Sequence, residues 1–469
     1  MSDSRRIGGS FRDPNGFVFV ADGLVYRQVN EGYRSNYDQL MESDLYAELV
    51  DRALLIPHSE AGSNLSPDGQ GYKILQPEQI PFISYPYEWS FSQLKDAALA
   101  TLNIQRRALR HGMILKDASA YNIQFRHGKP LLIDSLSFET YQDGQAWVAY
   151  RQFCQHFLAP LVLMSRKDIR LSQLLRVYID GIPLDLAKSL LPKRTWLNLG
   201  VVMHLHLHAR AQQRYANKKP PAQSEPTSRR GRLDKKALMN ICDSLRSTVN
   251  GLKWDPKSTS WARYYEGDSY REEGFDDKYR TVTEYLSIVK PDCLWDLGAN
   301  TGAFSRIASD QGAFTVSIDS DPGAVEANYL QSIGLNETQL HPLLVDLTNP
   351  SAALGWANGE RDSLAQRCKA DCVLALALVH HLAIGNNVPL RNIAKYLAAL
   401  AEWLIIEFVP KSDAKVKVLL ASRQDIFADY TQSAFEDVFS EICEIVRSNS
   451  IQSSERRLYL MRRRPAGAS

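Results

Sequence analysis

The chain has few cysteines, little net charge and no long apolar run. Its six cysteines are scattered, and only Cys368 and Cys372 lie close together, so no second pair completes a zinc site. A formal net charge of +2 creates no overall field that would attract nucleic acid. The longest apolar runs, such as 157–164 and 373–379, are too short to cross a bilayer. These features exclude a disulfide scaffold, a zinc module and a membrane-spanning protein.

The amino-terminal residues contain no apolar stretch of the kind that forms a signal peptide. Together with the cysteine usage, this predicts a soluble, cytoplasmic protein without a membrane partner. A length of 469 residues is too great for one ordinary core and indicates two domains. The clearest shift in composition is the basic, Pro-containing stretch 217–236, which is typical of a linker. We therefore predict an N-terminal domain at 1–216 and a C-terminal domain at 237–469.

The C-terminal domain alternates short apolar runs with stretches of helical spacing. Strands that alternate with helices predict an α/β fold with a Rossmann-like parallel sheet covered on both faces. A terminal pair of strand-like runs would add an antiparallel strand to this sheet. The predicted strands are 293–297, 314–319, 343–345, 372–378, 403–408, 442–447 and 457–462.

One turn in this domain carries an acid and two glycines directly after an apolar strand. It reads Asp296-Leu297-Gly298-Ala299-Asn300-Thr301-Gly302, and its glycines allow close approach of the backbone to a ligand. Open α/β sheets bind ligands at this end of a strand. A dinucleotide-binding turn needs Gly-x-Gly-x-x-Gly, which this turn does not have. The acid in its place suits a cofactor that carries an ammonium group.

This turn resembles motif I of the class I S-adenosylmethionine (SAM)-dependent methyltransferases. The resemblance implies SAM as the cofactor, with Asp319 on its ribose hydroxyls and Asp346 on its adenine amino group; Asp321 is an alternative ribose ligand. The competing interpretation is that these acids only cap helices or turns. The cofactor-binding residues implied are Asp296, Gly298, Ala299, Asn300, Gly302, Asp319 and Asp346.

Two adjacent histidines, His380 and His381, follow the fourth predicted strand. Either could remove a proton from a methyl acceptor near neutral pH, or could instead bond a backbone carbonyl and shape the loop. Glu407, at the end of the fifth strand, could orient a substrate or pair with a lysine or arginine. The aromatic stretch 261–270 could line an acceptor pocket or pack on the sheet. We expect methyl transfer to an oxygen or nitrogen of a small-molecule or glycan-like acceptor.

The N-terminal half contains a second motif, Asp117-x-x-x-x-Asn122 followed by Asp134. It resembles the catalytic and metal-binding loops of protein-kinase-like folds, and this implies an α+β domain with a candidate ATP and Mg²⁺ site at those three residues. The sequence departs from the kinase pattern, because it has no Gly-rich loop and Arg27 is the nearest candidate for the usual lysine. We therefore expect a degenerate, inactive kinase-like module; the competing interpretation is a hairpin whose polar residues only satisfy turns.

A kinase-like module, a linker and a methyltransferase in this order resemble the bacterial nodulation-type methyltransferases, a likeness that does not fix the acceptor. Two alternatives remain open. One is a bifunctional enzyme whose N-terminal half binds ATP and Mg²⁺. The other is an RNA methyltransferase in which the basic linker and several C-terminal arginines bind phosphates. These arginines are Arg456, Arg457, Arg462, Arg463 and Arg464.

Overall fold

The structure is a computed structural model that describes residues 5–207, 234–256, 272–367, 369–421 and 423–465. Most of the predicted linker 217–236 and the aromatic stretch 261–270 lie outside the described residues. The chain divides into two compact units. The first comprises Met1–Asp255 and Ala353–Arg361, and the second comprises Pro256–Ala352 and Asp362–Ser469.

The first unit contains a five-stranded antiparallel sheet with the order β1-β2-β3-β5-β4. The chain turns from β2 into β3 through Asp22 and Gly23, which both have positive φ, as a tight hairpin turn of this kind requires. Two further strand pairs, β6 with β9 and β7 with β8, follow the sheet in the chain. The strands are β1 Arg5–Arg6, β2 Gly16–Ala21, β3 Leu24–Asn30, β4 His58–Ala61, β5 Gly71–Pro77, β6 Met113–Leu115, β7 Ile123–Arg126, β8 Lys129–Leu132 and β9 Phe138–Thr140.

The longest helix of the first unit, α3, begins at a capping box between Ser90 and Gln93, and α2, α5 and α9 pack against it. The apolar face of α3 is fully buried along the helix, as its periodic alanines and leucines predict. The helices are α1 Arg34–Glu42, α2 Leu45–Asp51, α3 Phe91–Arg110, α4 Tyr150–Phe153, α5 Ala159–Arg166, α6 Leu174–Val177, α7 Leu184–Leu190, α8 Leu199–Val201 and α9 Lys235–Asn250.

Helix α9 belongs to the first unit, although the predicted boundary placed it with the C-terminal domain. It packs along α3, where Leu238 and Leu245 are buried and Arg106 pairs with Asp243 at 3.1 Å. Lys95, also on α3, donates to the carbonyl oxygens that end α9. The first unit therefore continues through Asp255, because an amphipathic helix belongs to the core that buries its apolar face.

The second unit is built on a seven-stranded sheet with the order β12-β11-β10-β13-β14-β16-β15. Every neighbouring pair is parallel except the two made by β16, so the predicted antiparallel strand is confirmed. The central strands are buried along almost their whole length, as strands covered on both faces must be. The strands are β10 Cys293–Leu297, β11 Phe314–Asp319, β12 Leu340–Leu344, β13 Ala370–Ala375, β14 Ala401–Phe408, β15 Cys443–Ser450 and β16 Arg457–Arg463.

Two helices of this unit begin at side-chain caps, one at Asp321 and the last one at Thr431. A short π-helical turn, His381–Gly385, follows β13. Among the described residues, no helix combines the length and the apolar character that a membrane crossing requires. The helices are α10 Glu272–Val289, α11 Ala303–Asp310, α12 Pro322–Leu335, α13 Leu364–Arg367, α14 Leu390–Leu400, α15 Ala414–Ala421 and α16 Gln432–Ser440.

Candidate active site

The turn between β10 and α11 is the first element of the site. Its backbone adopts positive φ at Gly298 (79°), Asn300 (52°) and Gly302 (80°). The amides of Gly298 and Ala299 both donate to the carbonyl oxygen of Ile318 at 2.9 Å, which ties the turn to β11. A Cβ atom on Gly302 would lie 2.5 Å from the Asn328 side chain, so this position requires glycine. Gly302 therefore shapes the turn, and its neighbours line the space above it.

The three predicted acids lie at the carboxyl ends of β10, β11 and β12 and line one cavity of about 250 Å³. Asp296 accepts a 2.6 Å hydrogen bond from Ser305, and Asp319 accepts from the backbone amide of Asn300 at 2.7 Å. Asp346 accepts from the Thr348 amide at 2.8 Å. The other predicted cofactor residues that line this cavity are Gly298, Ala299 and Asn300.

Asp321, the alternative ribose ligand, does not line this cavity. Its Oδ1 atom accepts from the amides of Gly323 and Ala324 at 2.7 and 3.0 Å, so it caps α12. Asp321 therefore acts as a helix cap, as the competing interpretation of the acids predicts. Asp319, although it also accepts backbone amides, faces the cavity.

Asp296 is a buried carboxyl that remains only partly compensated. Burial raises its pKa from the ordinary 3.8 to about 6, against the opposing effects of the Ser305 hydrogen bond and the Lys278 charge. A neighbouring cation would therefore stabilise the charged form of Asp296. Burial also raises the pKa of Asp319, while the amides that donate to it act in the opposite direction.

Lys278 of α10 lines the same cavity, although no local sequence pattern predicts it there. Its Nζ atom lies 2.6 Å from Glu407, whose other carboxylate oxygen lies 3.4 Å from Arg456. Arg456 in turn pairs with Asp413 at 2.7 Å. Glu407 is fully buried and is not among the described residues that line the cavity. Glu407 therefore pairs with a lysine and an arginine, which agrees with the second of the two predicted roles for this residue.

The two histidines occupy different environments. His381 lines the cavity, and burial lowers its pKa, helped by the charges of Lys415 and Arg456. His380 is fully buried, does not line the cavity, and has no hydrogen-bond partner for either ring nitrogen among the described residues. Burial also lowers the pKa of His380 well below its ordinary value, so both rings are neutral near pH 7. The two ring centroids lie 4.2 Å apart.

The C-terminal arginines are mostly engaged within the second unit. Arg456 is buried in the ion pairs described above, and Arg462 pairs with Glu402 at 2.7 Å. Arg463 and Arg464 donate to backbone carbonyl oxygens. Arg462, Arg463 and Arg464 are nevertheless exposed, so phosphate binding by these arginines stays a prediction.

In the first unit, the structure brings Asp117, Asn122 and Asp134 together. Asn122 bonds Asp117, and burial followed by the charge of Asp134 raises the pKa of Asp117. Asp134 forms an ion pair with Arg27 of β3 and accepts a 2.7 Å hydrogen bond from Ser137. The Asp134 carboxylate is therefore already neutralised by a cation of the protein. The kinase-like nature of this unit stays a prediction.

The strand order of the second unit, its single antiparallel strand, and the acid-bearing glycine turn after its first strand define the class I SAM-dependent methyltransferases. The chain is 38% identical over 462 residues to the nodulation protein NoeA of Rhizobium meliloti (strain 1021), covering 98% of this chain and 96% of that protein. It therefore belongs to the family of NoeA. No protein-family model matches the chain.

Solved structures with weak similarity include several methyltransferases. Magnesium protoporphyrin IX methyltransferase ChlM from Synechocystis PCC 6803, with bound SAH, is 17% identical with a TM-score of 0.32, covering 44% of this chain and 93% of that chain. N-methyltransferase NodS from Bradyrhizobium japonicum WM9 is 12% identical with a TM-score of 0.32, covering 41% and 98%. The bifunctional kinase-methyltransferase WbdD is 16% identical with a TM-score of 0.29, covering 46% and 45%. These TM-scores are low, whereas the strand order of the sheet itself defines the fold.

Proposed function

We propose that the second unit transfers a methyl group from SAM to an oxygen or nitrogen of a small-molecule or glycan-like acceptor. The observation that carries this proposal is the convergence of Asp296, Asp319 and Asp346 on one cavity that His381 also lines. Carboxylates from three neighbouring strands suit a ligand that is cationic at one end and rich in donors elsewhere.

The residues present fit SAM. Asp296 would face its ammonium group, because this buried carboxyl lacks a full counter-charge. Asp319 would accept from the ribose hydroxyls, and Asp346 from the adenine amino group. When bound, SAM supplies a methyl group on a positively charged sulfur, which a nucleophile can take without prior activation of the methyl group.

His381 is the proposed general base. Its lowered pKa keeps the imidazole neutral near pH 7, so a ring nitrogen can accept the proton that leaves the acceptor O–H or N–H. The loop that carries it is fixed, because the His381 amide donates to Leu378 at 3.0 Å and Asn386 donates to the His381 carbonyl oxygen at 2.9 Å. His380 and Glu407 are proposed as positioning residues, the first beside the His381 ring and the second through Lys278.

For the first unit we propose a degenerate kinase-like module that does not transfer phosphate. The proximity of Asp117, Asn122 and Asp134 supports the resemblance to the catalytic and metal-binding loops of protein-kinase-like folds. The ion pair of Arg27 with Asp134 argues against phosphoryl transfer, because a metal ion would have to displace the guanidinium from that carboxylate.

Calorimetry of the full chain with SAM and with S-adenosylhomocysteine tests the cofactor proposal. We expect one site for each ligand in the wild type and no detectable binding in Gly302→Val, because that side chain would meet Asn328 and distort the turn. Gly334→Ala, at a position with no atom near the added methyl, is the matched control and should bind normally. A wild-type chain that binds neither ligand would overturn the proposal.

A further inference from the structure

The segment Ala353–Arg361, here called the inserted loop, belongs to the first unit, although β12 before it and β13 after it belong to the second. Its ends are joined, because Leu354 and Arg361 exchange backbone hydrogen bonds of 3.0 and 3.1 Å. A short turn, Trp356–Asn358, forms its tip, with positive φ at Ala357 and Asn358. The inserted loop is thus a closed structure that the first unit holds.

An ion pair between the half-exposed Arg12 side chain and the buried Glu360 carboxylate holds the inserted loop. The Arg12 guanidinium donates to both carboxylate oxygens of Glu360, at 2.9 and 2.7 Å. The same carboxylate accepts from the Trp356 amide at 2.7 Å, and Glu360 is only 6% exposed. The hydrogen bonds from Arg12 lower the pKa of Glu360. A two-bond pair of this kind fixes orientation as well as proximity.

The fit around this pair is close. A Cβ atom on Gly8 would lie 1.9 Å from the carbonyl oxygen of Gly359, and one on Gly9 would lie 2.7 Å from that of Glu360. Both obstacles are backbone atoms, which cannot rotate away as a side chain can. On another side of the loop, the Arg361 guanidinium lies 4.4 Å from the centre of the Tyr121 ring. The inserted loop is therefore held by close backbone packing at two glycines, by the Arg12–Glu360 ion pair and by the contact with the Tyr121 ring.

The inserted loop begins a few residues after the turn that carries Asp346. Asp346 and Thr348 line the cofactor cavity, and only 349–352 separate that turn from Ala353. The loop's base is closed further by a 2.9 Å hydrogen bond from the Leu364 amide to the Ser351 carbonyl oxygen. A change in how the loop is held would therefore reach the adenine end of the proposed cofactor site through a very short stretch of chain.

We propose that the first unit is a docking module for the inserted loop and that this docking sets the cofactor affinity of the second unit. The first half of this proposal stands on the contacts alone, whereas the second half rests on the proposed function. In this proposal, the contacts that hold the inserted loop, including the one between Arg361 and Tyr121, fix the position of the turn that carries Asp346.

One added methyl group tests the docking in the full chain. Gly8→Ala should raise hydrogen exchange of peptides within 353–361 and weaken SAM binding by roughly threefold or more, a size typical of coupling changes. Gly32→Ala, at an open position of the same unit, is the matched control and should change neither quantity. Unchanged exchange in Gly8→Ala would overturn the docking. Raised exchange with unchanged SAM affinity would overturn the coupling.

A charge exchange provides a second test that does not depend on the packing at Gly8. Arg12→Glu and Glu360→Arg should each loosen the inserted loop, and the double variant should restore much of its protection because the pair can re-form with reversed signs. Arg391→Ala, which removes an exposed pair with Glu441, is the control. A double variant no better protected than either single variant would count against the pair. The exchange readout needs no cofactor, so it separates this proposal from a failure of SAM binding.

Discussion

Replacing Asp296 by Asn removes the buried carboxyl from the cofactor cavity while keeping its shape and an oxygen that can accept from Ser305. In the folded protein the pKa of Asp296 rises from the ordinary 3.8 to about 6. A tenfold change in proton affinity corresponds to about 1.4 kcal/mol, so holding the charged form without a bound cation costs on the order of 3 kcal/mol. Asn does not carry this cost.

The sign of the pH dependence follows from proton uptake. Because the pKa is raised, the folded protein holds this proton more tightly than the unfolded chain does, and Asp296 destabilises the fold increasingly as the pH rises from about 4 to about 6. Asp296→Asn should therefore match the wild type in stability near pH 4 and exceed it above pH 6. The same variant should bind SAM roughly tenfold more weakly or worse, because a charged hydrogen bond is lost.

Hydrogen exchange of peptides from β10 and β11 in the cofactor-free chain, corrected for the intrinsic rate at each pH, measures this effect in the second unit alone. Calorimetry measures the SAM affinity. Asp310→Asn, an exposed position at the end of α11, makes the same chemical change outside the cavity. Equal stability profiles for Asp296→Asn and the wild type would refute the electrostatic reasoning, and equal SAM affinity would remove Asp296 from the site.

Three further predictions concern the histidine, the buried ion pair and the first unit. His381→Gln should lower kcat about 100-fold with little change in SAM affinity, as expected for a lost general base. Because burial lowers the pKa of His381, the wild-type kcat should stay constant through neutral pH and fall only in acid. An unaffected rate in the variant would reassign the residue to structure. Lys278→Met should lower the free energy of unfolding by about 3 kcal/mol, because Glu407 loses its closest buried partner. Restoration by a second change, Glu407→Gln, would support this cause, and no restoration would contradict it. ATP with Mg²⁺ should leave the thermal midpoint unchanged, because Arg27 already neutralises Asp134; a shift that Asp134→Ala abolishes would show otherwise.

Local patterns predicted the parts of the site that depend on strand ends. The bounds of β10 and β11 agree with the prediction, and their terminal acids face one cavity because parallel strands end at the same edge. The fourth strand was predicted to run to residue 378 but ends at Ala375. Positive φ at Ala377 breaks the extended run, and the residues released from the strand line the cavity.

Pairs of residues far apart in the chain could not be predicted in this way. Lys278 and Glu407 are separated by 129 positions, and Arg12 and Glu360 by 348. Neither pair leaves a periodic or spacing signal, because each depends on how the whole chain folds. The apolar spacing of α9 is that of a helix, but its membership of the first unit depends on a partner face on α3.

The inserted loop has a consequence for the order of events during synthesis. Residues up to Asp255 leave the ribosome first, yet the first unit lacks part of its structure until 353–361 have followed. By then β10, β11 and β12 have been made, while β13 to β16 have not. The two units therefore complete their folding in a nested order, not one after the other as separate domains usually do. A polypeptide divided within 217–236 would separate α3 from α9 and would separate residues 1–216 from the inserted loop.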